Sequence, residues 1–207
     1  AVKIEFDRNT EHWRLEAGYD HKTPTFRAEN GFESSNNSRR IYGQSVWIHH
    51  PDNFFTQVIG GFHTGVEHNF DGEQKAKYIV GFGNLSMPRQ TRLQFQYVRR
   101  LQYRFKDTEL NGTYDLRLNL NSQFSERYQF GANIGRHVAA VRSLEVPEEG
   151  RLATNRFWVR MQASKQLNVG LSYNFQKMTT MDKKTDYFSG YTTTMGASYQ
   201  HNKSLGF

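Results

Sequence analysis

The chain has 207 residues with 27 Lys and Arg against 20 Asp and Glu, a formal net charge of +7 and a pI of about 9.6. Rings are abundant, 16 Phe and 11 Tyr, yet mean hydropathy is −0.80 and no run approaches the ~18 consecutive apolar residues of a transmembrane helix, which excludes a helical membrane protein. A soluble protein and a transmembrane β-barrel both remain, because a barrel strand needs an apolar residue only at every second position. No linker, composition break or low-complexity run divides the chain, so residues 1–207 read as a single domain. The absence of cysteine fits export through an oxidising periplasm with no disulfide to misform, and the opening AVKIEF fits what removal of a signal peptide leaves. The basic excess points to anionic partners: nucleic acid, lipopolysaccharide or acidic sugars.

Period-two segments follow one another from the start. Val2 to Asp7 sets Val2, Ile4 and Phe6 on one face, and His12 to Asp20 sets Trp13, Leu15, Ala17 and Tyr19 there. Thr25 to Glu33 is a poorer strand. Arg40 to His50 carries Tyr42, Val46 and Ile48 on one side and meets a turn signal at Pro51-Asp52-Asn53. Phe54 to Thr64 and Lys75 to Gly83 come next, the second with Ala76, Tyr78, Val80 and Phe82 on its greasy parity, before Ser86-Met87-Pro88 breaks the chain.

Arg92 to Lys106 is the clearest strand. Leu93, Phe95, Tyr97, Leu101, Tyr103 and Phe105 take one parity, and Arg92, Gln94, Gln96, Arg100, Gln102 and Arg104 take the other. An extended conformation gives it one apolar face and one of guanidinium and amide. Thr113 to Asn121, Arg127 to His137, Arg156 to Ala163, Leu167 to Gln176 and Tyr187 to Gln200 repeat the alternation, which makes twelve segments, an even number. Short joints such as Ser164-Lys165-Gln166 and Asn121 to Glu126 interleave with longer ones at Asn69 to Gln74, Val141 to Asn155 and Thr179 to Asp186; Leu144 to Leu152 reads as loop. The expected fold is therefore all-β, a 12-stranded antiparallel transmembrane β-barrel in the bacterial outer membrane, with short periplasmic turns and long outer loops. The terminal Phe207 resembles the closing aromatic of such barrels.

With the greasy parity toward lipid, the lumen receives Lys3, Arg14, Arg27, Lys77, Arg92, Arg100, Arg104, Arg117, Arg127, Arg156 and Arg160 against Glu5, Asp7, Glu16, Asp20, Glu29 and Asp115. The acids fall mostly on the first three strands and the arginines on later ones, an acidic wall facing a basic one. Guanidinium is always charged, planar and forked, so an arginine-lined bore holds carboxylates bidentately and favours anions. The bland alternative is that charges of both signs pair across a narrow lumen and plug it. Arg99 sits on the lipid parity: either it snorkels at an interface, or a β-bulge at Arg99-Arg100, the preferred reading, turns both inward. Trp47 and Trp158 fall on the lumen parity, to stack on a sugar ring or merely to fill space. Trp13, Tyr78, Tyr114, Tyr128 and Tyr191 near strand ends resemble aromatic girdles.

Catalysis finds little support. Eight histidines are scattered, no strand pairs a histidine with a serine two apart, no nucleophile elbow appears, and His63 and His68 lack a third metal ligand. Nucleic-acid binding is disfavoured because the basic residues spread over nearly every strand. Neither a cofactor nor a metal is expected.

The layout resembles the small monomeric porins specific for acidic sugars, the oligogalacturonate and sialic-acid porin family. The resemblance rests on HWRLEAGYDHKTPTFRAENGFE with a hairpin at Lys22 to Pro24, on YIVGFGNLSMPRQTRLQFQYVRRLQYRF, and on RMQASKQLNVGLSYNF. It implies a monomeric, non-enzymatic channel for facilitated diffusion of small acidic oligosaccharides, and it places Arg99, Arg100, Arg104 and Arg160 on a basic lumen track. The full set expected to touch solute is Arg14, Arg27, Arg92, Arg99, Arg100, Arg104, Arg117, Arg127, Arg156, Arg160 and Trp158. Two other classes remain as alternatives: an outer-membrane barrel enzyme acting on lipid or lipopolysaccharide, and a soluble β-barrel that binds an anionic ligand.

Overall fold

The computed structural model describes residues 1–25, 37–51, 54–105, 108–141 and 144–200, with backbone alone at 103–105. Its strands are β1 (Val2–Asn9), β2 (Trp13–Lys22), β3 (Ser38–His49), β4 (Gln57–His68), β5 (Gln74–Met87), β6 (Thr91–Phe105), the two-residue β7 (Thr108–Glu109), β8 (Tyr114–Ser122), β9 (Tyr128–Ala140), β10 (Glu149–Gln162), β11 (Leu167–Thr180) and β12 (Asp186–Tyr199). Each pairs antiparallel with the next in the order β1-β2-β3-β4-β5-β6-β8-β9-β10-β11-β12, and β7 only extends the end of β6. This is the meander that period-two segments with short connections produce.

The all-β, antiparallel character expected from the sequence is what the chain forms, but the main path holds eleven strands rather than twelve and its edges, β1 and β12, are not paired with each other. The missing strand is the one assigned to Thr25–Glu33. Residues 26–36 lie outside the described residues, and β2 pairs directly with β3 from Trp13↔Trp47 to Lys22↔Ser38, which leaves no place between them for another strand. β2 ends at Lys22, and the hairpin expected at Lys22 to Pro24 leads into residues outside the described ones. The final segment 201–207, Phe207 included, also lies outside the described residues.

Several strands run further than alternation alone suggested. β10 starts at Glu149, inside the stretch read as loop, and β11 continues to Thr180. In both, small and polar residues extend the ladder without extending the apolar pattern. Connections 10–12, 50–56, 88–90, 123–127 and 163–166 gather at one end of the sheet, and 23–37, 69–73, 106–113, 141–148 and 181–185 at the other. The expected contrast in length is uneven, since 50–56 is longer than 69–73 or 181–185.

Following register from strand to strand separates two faces. One, the charged face, carries Lys3, Asp20, Arg40 and Glu67 in a single cross-strand row. On the other, large hydrophobic side chains stand exposed on strand after strand: Ile4 is 63% exposed, Ile41 66%, Phe95 45% and Met195 79%. Among the described residues the buried hydrophobic core comprises Val46, Ile48, Leu110, Val138, Val141 and Met178. Among the described residues no second layer covers either face.

Two faces were read the wrong way round. Tyr42, Val46 and Ile48 of β3 lie on the charged face, since Tyr42 pairs with Gly18 between the rows of Asp20–Arg40 and Glu16–Gln44; Trp47 therefore stands on the apolar face, opposite the expected lumen. In β5, Tyr78 pairs with Gly65 on the charged face, so Tyr78 is no girdle residue and Lys77 is on the apolar side. In each case a ring lies flat across a glycine of the neighbouring strand. A methyl group at Gly18 would come within 2.4 Å of the Tyr42 ring, and one at Gly65 within 2.6 Å of the Tyr78 hydroxyl.

Candidate functional site

β6 starts the basic wall. Arg92, Gln94 and Gln96 face Asn121, Asn119 and Arg117 of β8 across the charged side. Three further rows cross β8 to β11: Asp115–His137–Leu152–Met178, Arg117–Gly135–Thr154–Gln176 and Asn119–Asn133–Arg156–Asn174. Together with Arg100 and Thr113, these rows line a cavity of about 590 Å³. Next along β10, Arg156, Trp158 and Arg160 line a second of about 360 Å³, and Arg160 with Arg127 lines a third of about 540 Å³. Arg156 is shared by the first and second cavities and Arg160 by the second and third, so the three form one continuous track. The four steps from Arg156 to Arg160 span about 13 Å at ~3.3 Å per residue.

The first cavity is tightly hydrogen-bonded. Arg117 forks onto Asp115, with Nε 2.9 Å from Oδ1 and Nη2 2.5 Å from Oδ2, the bidentate geometry that makes this pair strong. His137 Nδ1 lies 2.9 Å from Asp115 Oδ1, and its Nε2 lies 3.2 Å from Thr154 Oγ1. The His137 ring thus bridges Asp115 on β8 and Thr154 on β10. Gly135 makes room for it, since a methyl there would stand 2.3 Å from Thr154 Oγ1 and 2.4 Å from His137 Nε2. The Asn133 amide donates to Asn119. Thr113 Oγ1 is buried without a hydrogen-bond partner among the described residues. Asp115 is thus consumed by Arg117 and His137, and no carboxylate reaches Arg156 or Arg160 among the described residues. Trp158 lies across Gly131, where a methyl would meet the indole at 2.5 Å, and Arg160 sits 5.4 Å from the indole centroid, a cation–π contact.

The opposite part of the same face is acidic. Glu5, Asp7, Glu16, Asp20 and Glu67 line β1, β2 and β4, tempered by Lys3 at 2.6 Å from Glu5 and Arg40 at 3.3 Å from Asp20. Tyr42 donates to Glu5 at 2.6 Å.

Of the residues expected to touch solute, Arg92, Arg100, Arg117, Arg156, Arg160 and Trp158 stand on the basic wall. Arg14 is on the charged face but among the acids. Arg127 lies in the turn before β9, its carbonyl accepting the Gln162 N–H at 2.8 Å, and still lines the track. Arg104 pairs along the backbone with Glu109 beyond the main ladder, and Arg27 is outside the described residues. Arg99 needs correction. The register shift falls opposite Leu101, between Tyr78↔Arg100 and Lys77↔Gln102, so Arg99 pairs with Ile79 and Tyr114 on the apolar face. Sequence reasoning overlooked Arg40, Asn133, Thr154 and the His137 link. The last two are joined only across strands, so spacing along the chain carries no signal for them, whereas Asn133 was visible as a polar residue opposite Phe130 and Ile134. Among the described residues no three His, Cys, Asp or Glu side chains gather to hold a metal.

Compared with known proteins, the chain matches no family model, no curated protein and no solved structure.

Proposed function

We propose that the sheet closes into a transmembrane β-barrel of the outer membrane whose lumen is the charged face, and that small acidic solutes cross it by facilitated diffusion along the arginine track. The observation that carries this reading is the division of one single-layer sheet into a continuous exposed apolar face and an opposite face lined by arginines. A monomer in water does not stabilise such an apolar surface, whereas hydrocarbon does. The first and last of eleven antiparallel strands run in the same direction, so an antiparallel closure takes one further strand between β1 and β12 and reaches the even number usual for outer-membrane barrels. Carboxylated sugars suit the track because forked guanidinium groups replace their hydration, and Trp158 offers a ring face beside them. The acid-sugar porins that the sequence resembles work in this way, as monomers and without cofactor or catalytic step.

Reversal potentials in planar bilayers under a salt gradient test the reading. A charge ~6 Å from a monovalent anion at water-like dielectric contributes about 0.7 kcal/mol, a factor of about three in local concentration. Arg156→Ser with Arg160→Ser should therefore lower the anion-to-cation permeability ratio several-fold. An unselective wild-type channel, or a ratio indifferent to both substitutions, removes the anion pathway.

A further inference from the structure

The apolar face carries its own cations, and apart from Arg8, beside connection 10–12, and Arg99, inside β6, they are gathered at one end. Arg39, Lys77, Arg136, Arg151 and Lys177 lie within a few residues of the end that holds connections 69–73, 141–148 and 181–185. Four basic residues converge there: Arg136, Arg151, Lys177 and Lys183 line a pocket of about 340 Å³ with Tyr114 and Ala153. They are held rather than loose. Arg136 Nη1 donates to the Gly135 carbonyl at 2.7 Å and to Asn155 Oδ1 at 2.9 Å, and Arg151 Nε donates to the Met181 carbonyl at 2.9 Å. Lys183 occupies a left-handed conformation, φ 62°, at the apex of the 181–185 turn, a conformation a lysine adopts only where its surroundings impose it. Among the described residues one carboxylate answers them, Asp186 at 3.0 Å from Lys177, so the pocket keeps an excess of positive charge.

Directly toward the middle of the sheet the same face turns apolar. Phe157 and Tyr173, paired across β10 and β11, are 46% and 39% exposed, and Phe157 stands six residues from Arg151, about 20 Å along the strand. A cationic pocket above a greasy strip matches a molecule with a phosphate at one end and acyl chains at the other.

We propose that this pocket is a binding site for the phosphomonoester headgroup of a membrane lipid, its acyl chains lying along Phe157 and Tyr173. The proposal rests on the membrane reading given above. Clustered Lys and Arg at a membrane surface attract anionic headgroups by about fivefold per residue, and the guanidinium forks of Arg136 and Arg151 supply the geometry phosphate oxygens accept. A free phosphate would satisfy the cations but has no use for the apolar strip.

Native mass spectrometry of the full chain in detergent tests it, with phosphatidic acid, phosphatidylcholine of the same acyl chains, and inorganic phosphate as probes. Phosphatidic acid should be retained at least about tenfold better than phosphatidylcholine, and Arg136→Gln with Lys183→Gln should reduce that retention about thirtyfold. The single variant Lys183→Gln, altering only an exposed turn, should lose about fivefold and guards against misfolding of the double one. Equal retention of the two lipids, indifference to Lys183→Gln, or full competition by inorganic phosphate overturns the lipid site. A chain that stays in solution without detergent and retains neither lipid overturns the membrane reading instead, and an anion-selective channel without lipid preference leaves that reading standing alone.

Discussion

Ring against glycine is the contact that most shaped this face, and it is also what misled the sequence reading. Period-two analysis sends Tyr42, Tyr78 and Phe82 to the apolar side, yet they stand on the charged side because Gly18, Gly65 and Gly61 face them across the ladder; Trp158, expected on the charged parity, does stand there, opposite Gly131. The signal was present only as paired positions on different strands, which requires the register before it can be read. Arg156 and Arg160 were legible because Phe157, Val159 and Met161 hold the opposite parity of that part of β10. Gly131→Ala should force the Trp158 indole off its seat, since the new methyl would stand 2.5 Å from it. Overpacking of this kind costs about 1–3 kcal/mol, to be read as a lower urea midpoint for folding in lipid vesicles. Gly81→Ala, where nothing lies within 4 Å of the added methyl, provides the contrast and should leave the midpoint almost unmoved.

Among the elements, β8, β6 as far as Tyr97 and β9 as far as Ile134 obeyed their alternation because apolar residues hold one parity there and the neighbouring strands agree. The reading of β3 and β5 failed because both of their faces carry rings or aliphatic residues, leaving the period visible but its orientation undetermined. The shift opposite Leu101 has the same origin: the sequence shows adjacent arginines, but the extra residue is defined only against Tyr78 and Lys77 of the partner strand. The β11–β12 turn can be probed by acid. The Thr180 hydroxyl donates to Asp182 at 2.5 Å and the Lys184 N–H at 3.1 Å, and these bonds hold the Asp182 carboxyl below its ordinary 3.8. A carboxyl lowered on folding stabilises fully above its unfolded value and ceases to do so as pH falls through the folded one. Protection of the Lys184 and Thr185 amides, followed by NMR in micelles, should therefore hold down to about pH 4 and decline as pH falls further. In Asp182→Asn, with no proton to take up, it should stay flat.

At the scale of the whole molecule the sequence conveyed the one-layer, two-faced design but not its closure. Alternation fixes which residues share a solvent; it says nothing of what pairs with β1 and β12, and the twelfth strand expected at Thr25–Glu33 has no room in the ladder. What the apolar face contacts is therefore the decisive physical quantity. Phe95 of β6 lies between Gly83 and Leu118, the central residue of β8, and is 45% exposed. If that face meets water, Phe95→Arg is a surface change within about ±0.5 kcal/mol. If it meets hydrocarbon, a guanidinium at mid-depth costs about 2–4 kcal/mol, several times more and well outside the error of a denaturation curve. Urea titration of the chain refolded into lipid vesicles should show the larger loss, and Arg99→Lys, which keeps a cation where one already stands, should show none. A small loss at Phe95 would place water against the rings and end the case for a membrane-spanning barrel, whatever the arginines on the other face bind.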